Sequence, residues 1–413
     1  MNEKRMQERQ FWVILIIVFL GFVGISMPYL IFPALFFNPE YAIVPDAWEN
    51  TGRAIFLGIT LAAYPLGQFL GSPILGALSD DYGRKPLLAG SLLVAGLSNL
   101  LSGWAIAQQH LGLLILSRFI AGLMEGNIAI ARAMASDLKH LSKHETFGKI
   151  NAVASIAFLV GPLFGGLLTD PSLSEKLTTS TPFYIIFVLF SNLAWLCAWL
   201  LKEPLVISFK EKRSVWQLLN IAKRVSHMFA NKQLKFLMMV STCFTLAVDI
   251  FYEFGPVYLT VKWALGPSDL VIYNAGLCLG LVLGNGWLPR WASKLASKQS
   301  LILSSIAAFA LILILITQVN SMIVMFLLFS ISGLFIGLGV TLITVKISNA
   351  AEDTVQGEVM GVQLSLRVLG DGIICLLGGI LLLLSSKIIL LVAALLATCT
   401  FALSRKKLKH VGK

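Results

Sequence analysis

Charge is scarce in this chain. Only 13% of its 413 residues are Asp, Glu, Lys or Arg, while 57% are apolar and the mean hydropathy is +0.83. Soluble domains carry about a quarter charged residues, so a fold solvated by water on all sides is excluded. Cysteine is scarce too. The five residues Cys197, Cys243, Cys278, Cys375 and Cys399 all fall in apolar stretches, which argues against a disulfide framework and suggests no thiolate metal site. His140 and His144 have metal-ligand spacing, but Lys139 and Lys143 beside them mark a solvated basic connection, so no metal is expected. The chain has no G-x-x-x-x-G-K-[ST] loop and therefore no ATPase of its own. No Ser, His and Asp arrangement suggests hydrolysis, so it is not expected to be an enzyme.

Long apolar runs are what the chain has in abundance. Crossing a bilayer takes roughly 20 apolar residues per helix, and twelve segments qualify: 11–37, 54–78, 86–107, 111–135, 148–168, 182–201, 236–263, 270–289, 300–318, 321–345, 359–383 and 387–404. The expected fold class is all-α, a polytopic membrane protein with twelve transmembrane helices. Segment 1 does not read as a cleaved leader, because it is long, holds Pro28 and Pro33 and lacks a small-residue cleavage site. Basic residues set the orientation. With both termini in the cytoplasm, 25 of the 32 Lys and Arg residues lie inside. Arg53, Lys176, Lys262 and Lys387 then fall outside, and Arg118, Arg132 and Arg367 lie within spans. The net charge of +11 is thus a topology signal, and no soluble domain remains to offer a basic face to nucleic acid.

The chain repeats itself. A shift of 213 residues lays Gly67 on Gly280, Gly71 on Gly284, Lys85 on Lys298 and Gly165–Gly166 on Gly378–Gly379. Two six-helix halves follow, 1–201 and 236–413, with a cytoplasmic linker at 202–235. Within that linker Leu218, Ile221, Ala222, Val225, Met228 and Phe229 have helical spacing, which predicts an amphipathic helix on the inner membrane face.

Between segments 2 and 3 the chain reads GSPILGALSDDYGRK, residues 71–85. Gly76, Leu78, Asp80, Gly83, Arg84 and Lys85 resemble the G-x-L-x-D-[RK]-x-G-R-[RK] loop of the major facilitator superfamily, with Asp81 in the basic slot. In segment 4, Arg118 and Gly122 resemble that family's R-x-x-x-G, and Asp137 matches the acid at its cytoplasmic end. Ala157, Gly161, Pro162, Gly165 and Gly166 resemble the segment 5 pattern G-x-x-x-G-P-x-x-G-G of its antiporters, with Ala157 replacing the first glycine. The M-P-Y-L run of segment 1 looks like the tetracycline-type exporters, although Phe19 stands where those proteins carry an acid.

The resemblance implies two pseudo-symmetric bundles that alternate access to a central site. It implies a charge lock of Asp80, Arg84 and Asp137 at the cytoplasmic gate. It also implies the drug:proton antiporter branch, an inner membrane of bacterial type, a small-molecule substrate, a bilayer as surroundings, a functional monomer, and no cofactor beyond the proton gradient. The smooth face at Gly161, Pro162 and Gly165 is expected to rock on the ridge of Gly276, Gly280 and Gly284 in segment 8.

Candidate chemistry rests on ionisable groups at membrane depth. Each costs at least a few kcal/mol if it faces lipid, so they must face protein or a wet cavity. Arg118, Glu125 and Arg132 are seven apart and form one stripe. Asp249 and Glu253 are one turn apart in segment 7 with no cation near them in sequence, and Arg367 and Asp371 are one turn apart in segment 11. Removing a carboxylate from water penalises its charged form, which makes Glu125, Asp249, Glu253 and Asp371 candidates for carrying protons. Each could instead be neutralised, Asp371 by Arg367 and Glu125 by Arg118 or Arg132. The arginines could equally grip an anionic substrate in bidentate fashion. Two functions remain open: proton-coupled efflux of a small organic compound, or proton-coupled uptake of a nutrient such as an amino acid, carboxylate or siderophore.

Overall fold

The computed structural model describes residues 2–45, 49–136, 138, 143–203, 232–286, 288–350 and 356–408. The amphipathic stretch of the linker, Asp137 and His140 lie outside these, as do the side chains of Asp80 and His144. All described elements are helical. Among the described residues, eleven helices are long and apolar enough to cross a bilayer. The segment expected at 148–168 lies in a further helix, Lys143–Leu167, whose apolar part Ala152–Leu167 is shorter.

Segment 1 is not one rod. It is built from α1 (Asn2–Ser26), a 3₁₀ turn (Met27–Leu30) and α2 (Ile31–Phe37). Pro28 at the start of the turn and Pro33 in α2 remove two backbone donors and tighten the winding there. There follow α3 (Asn50–Tyr82), α4 (Arg84–Ala107), α5 (Leu111–Met124), α6 (Gly126–Ser136), α7 (Lys143–Leu167) and α8 (Thr181–Leu200). The second half holds α9 (Lys232–Trp263), α10 (Pro267–Gly286), the short α11 (Leu288–Ala292), α12 (Lys298–Gln318), α13 (Met322–Ala350), α14 (Gln356–Leu381) and α15 (Ser386–Leu408).

Two compact units result. The first comprises Met1–Ala47 and Ala63–Asn220, the second Trp48–Ala62 and Ile221–Lys413, so α3 is shared between them. In the first, α1 packs on α7 and α8, and α4 packs on α8 and α5. In the second, α9 packs on α15, α14 and α13, and α12 on α15 and α13. A file of aromatic rings, Phe244, Phe309, Phe251, Phe329 and Tyr273, fills its middle at centroid spacings of 4.9–5.9 Å. On the outside, apolar side chains stay exposed, including the stacked pair Trp195 and Trp199 on α8. That is the expected dressing of a surface solvated by lipid.

Glycine sets the closest contacts, because lipid supplies no hydrophobic drive between helices and backbone proximity must do that work. Gly67 of α3 backs onto the Phe119 carbonyl and the Leu123 nitrogen, and Gly71 onto the Leu123 carbonyl. Gly280 of α10 backs onto the Ser330 carbonyl and the Leu334 nitrogen, and Gly284 onto the Leu334 carbonyl. The same joint therefore recurs at Gly67 and Gly280, and again at Gly71 and Gly284, the pairs that the 213-residue shift superposes. The ridge on α10 is thus filled by α13 of its own unit. The face at Gly161 and Gly165 is likewise filled, by Ser26, Val23 and Met27 at the end of α1. Each of these glycine faces thus takes part in a close joint inside its own unit.

Candidate functional site

Segment 4, expected as one continuous helix over 111–135, breaks at Glu125. The Glu125 nitrogen bonds the Gly122 carbonyl and the Ile128 nitrogen bonds the Glu125 carbonyl, both i to i+3 and both at 3.0 Å. Glycines flank the break. Gly122 lies against the Tyr64 carbonyl of α3, and Gly126 against Leu75 and the Gly71 carbonyl. Pressed onto α3 at both points, the helix tightens between them and turns Glu125 into the interior, where it is 7% exposed.

Around Glu125 lies a small cavity, with room of about 10 Å³, lined by polar Tyr64, Asn99, Arg118 and Asn127 and by apolar groups that include Phe190. Arg118 is 5% exposed, with its guanidinium 4.4 Å from the Tyr64 ring centroid and 5.3 Å from that of Phe32. Stacking on two π faces offsets part of the cost of holding a cation out of water. The Tyr64 side chain faces the Glu125 carboxyl electrostatically. Away from the cavity, Ser102 of α4 and Ser117 of α5 share a 2.7 Å hydrogen bond. Arg132, expected on the same stripe, is partly buried on α6 and faces Glu125 electrostatically without lining the cavity.

A second cluster lies in the second unit. The Arg367 guanidinium of α14 donates to both carboxylate oxygens of Asp249 on α9, through Nη2 at 2.8 Å and Nε at 3.3 Å. Asp249 is 3% exposed, whereas half of the Arg367 side chain is open. The pair adds to the expectations. Arg367 reaches Asp249 across the helix gap, because α9 and α14 run side by side, and its own-helix neighbour Asp371 also acts on it electrostatically. Asp249 has no cation near it in sequence, and its partner comes from 118 residues along the chain.

Asp371 also converges with Glu253 and Cys375, their ligand atoms all within 4.8 Å of one another, and Cys375 is fully buried. Two carboxylates and a thiol are groups that can hold a divalent metal. The sequence offered no hint of this, because Cys375 and Glu253 are distant in the chain.

At the turn between α3 and α4, Gly83 has φ +101°, a conformation that disfavours a side chain. The side chain of Arg84 donates to Ser79 at 3.1 Å. Its expected partner Asp137 and the Asp80 side chain fall outside the described residues. Gly76 has open space beside it. Sequence reasoning missed Glu203, which follows α8 and accepts the backbone N–H groups of Arg84 and Lys85. It also missed Tyr64, Asn99 and Asn127. The available signal was amide side chains interrupting apolar runs.

Known proteins resemble the chain as follows. The tetracycline resistance protein, class H, of Pasteurella multocida is 35% identical over 162 residues, 39% of this chain and 38% of that protein. The class C protein of Escherichia coli is 34% identical over 164 residues, again 39% of this chain and 38% of that protein. The chain thus aligns with less than two fifths of the length of these relatives. Among solved structures, the human organic anion transporter MFSD10 (TETRAN) gives a TM-score of 0.69 at 18% identity, covering 96% of this chain and 99% of that one. An inward-facing bacterial homologue of the lysosomal transporter Spinster gives 0.71 at 14%, covering 98% of each chain. At such identities the structures establish shared architecture. The Major Facilitator Superfamily profile matches residues 14–374. With eleven bilayer-crossing helices among the described residues, an internal repeat and this match over most of its length, the chain belongs to the major facilitator superfamily, as a multi-pass membrane protein resembling the tetracycline-exporter branch.

Proposed function

We propose that the protein is a secondary transporter, not an enzyme, that exports a small organic solute by alternating access in exchange for protons. The observation that supports this reading is Glu125. It is a carboxyl group at the middle of a membrane span, 7% exposed, lining a polar cavity with one oxygen that lacks a hydrogen-bond partner among the described residues. A group so placed binds a proton in one state of access and releases it in another when the cavity's contact with water changes. The relatives named for tetracycline resistance support export of a drug-like solute. On this reading the protein is a monomer in an inner membrane of bacterial type with both termini cytoplasmic. It needs no cofactor, and Glu253 and Asp371 are further polar groups on its transport path.

Inverted membrane vesicles test the proposal. With an acidic lumen, tetracycline as probe should accumulate and the lumen should become alkaline as protons leave. Accumulation confined to right-side-out vesicles would instead favour the second reading, proton-coupled uptake of an anionic nutrient. The half-open guanidinium of Arg367 and the absence of an acid at Phe19 support that alternative.

A further inference from the structure

Two buried acceptor atoms line the cavity of the first unit without a donor. One is Glu125 Oε2 and the other is Asn99 Oδ1, on residues 7% and 4% exposed. The Asn99 amide is not free to turn and offer its NH₂ instead. Its Nδ2 donates to the Ala95 carbonyl one turn below at 2.8 Å, which commits the oxygen to the cavity. An amide oxygen and a carboxylate oxygen facing the same small space repel each other unless something with a hydrogen to give stands between them. Arg118 is held against the rings of Tyr64 and Phe32. The groups with charge or a titratable proton that face Glu125 are Tyr64 from α3, Arg118 from α5 and Arg132 from α6. The elements α1, α4 and α8 bring Gly24, Asn99 and Phe190 to the cavity, none of which titrates.

We infer that this cavity is built for the protonated form of Glu125: Asn99 is a positioning residue whose Oδ1 accepts the carboxylic O–H, directly or across one water held in the cavity. The step balances simply. A proton arriving from water adds to Oε2 and creates the one O–H that Asn99 is oriented to receive. Its departure leaves the carboxylate facing Arg118 and Tyr64. Asn99 therefore favours the loaded state, and the arginine favours the empty one. This rests on the proton reading of Glu125 made above and adds the residue that determines how the proton is held.

Infrared difference spectroscopy on the reconstituted full chain, stepped between acidic and alkaline buffer, reads the carbonyl stretch of protonated carboxylic acids. Glu125→Gln should remove one such band. Asn99→Ala should keep that band but move it to the higher frequency of a carboxyl group without an acceptor. Ser102→Ala, one turn away on α4, should leave the band in place. Asn99→Ser serves as a second variant if Asn99→Ala fails to fold, and should shift the band in the same direction. A band that ignores both Asn99 substitutions would overturn the inference while leaving Glu125 as the proton site. No band lost in Glu125→Gln would overturn the proton site itself. Sodium that abolishes the wild-type band at constant pH would also overturn the inference, since a metal cation would then occupy the space between the two oxygens.

Discussion

The carboxylate of Glu203 bridges the first two backbone N–H groups of α4, accepting from Arg84 at 3.0 Å and from Lys85 at 2.8 Å. The chain leaves α8 only three residues earlier, so the end of segment 6 caps the start of segment 3. An anion at a helix N-terminus satisfies donors that have no partner within the helix and lies at the positive end of its dipole. Gly83 completes the arrangement, since a Cβ there would stand 2.9 Å from Glu203 Oε2.

The first prediction follows from that cap. Glu203→Ala should cost about 1 kcal/mol of stability, and Glu203→Gln less, because it keeps an acceptor and loses only the charge. Thermal unfolding in detergent should order the three proteins as wild type, Gln, Ala. The capped turn carries the Gly83–Arg84 motif, so turnover should fall alongside stability with the probe's Kd unchanged. Gly83→Ala should be worse than either, as it adds backbone strain at φ +101° to the loss of the cap.

A second prediction concerns Asp249 and Arg367. Removing one member of a buried ion pair leaves the other uncompensated, at roughly 3–5 kcal/mol when both are fully buried. Here the members differ, because Asp249 is 3% exposed while half of the Arg367 side chain is open. Asp249→Asn leaves an arginine that water can reach. Arg367→Gln leaves a carboxylate that water cannot. Arg367→Gln should therefore destabilise more, and the double variant Asp249→Asn/Arg367→Gln should recover much of the loss. A double-mutant cycle from unfolding midpoints measures this coupling.

The glycine joints give a third prediction. Gly71→Ala and Gly284→Ala each drive a methyl group into a leucine carbonyl of the facing helix, Leu123 in one case and Leu334 in the other. Overpacking of this kind costs about 1–3 kcal/mol. Because the two joints are repeats of one design, the two variants should lose similar stability. Gly76→Ala and Gly90→Ala face open space and should unfold like wild type.

Those joints show how far the sequence could be read. Residues Gly67, Gly71, Gly280 and Gly284 revealed both the repeat and the close helix packing, because spacing four apart along a helix is a one-dimensional signal for one face. Apolar run length located the spans for the same reason. Partners across a helix gap have no such signature. Nothing in the chain places Arg367 beside Asp249, or gathers Glu253, Asp371 and Cys375. The break at Glu125 was equally hidden. It arises where Gly122 and Gly126 press onto α3, a tertiary contact laid over an otherwise regular helical pattern. Asn99 was passed over because a lone amide in an apolar segment reads as packing until the cavity beside it is known.

The last prediction separates proton coupling from transport itself. Glu125→Gln keeps the size and one acceptor of the side chain but carries no exchangeable acid. A carrier whose driving force enters through this group should still alternate when substrate on one side trades for substrate on the other, since that exchange moves no net protons. Tetracycline counterflow in proteoliposomes should therefore persist in Glu125→Gln. Accumulation against a concentration difference under an imposed pH gradient should fall at least about tenfold, a loss of roughly 1.4 kcal/mol of stored gradient. Loss of both activities together would place Glu125 in substrate binding, while retention of both would move the proton pathway to the carboxyl groups Glu253 and Asp371 of the second unit.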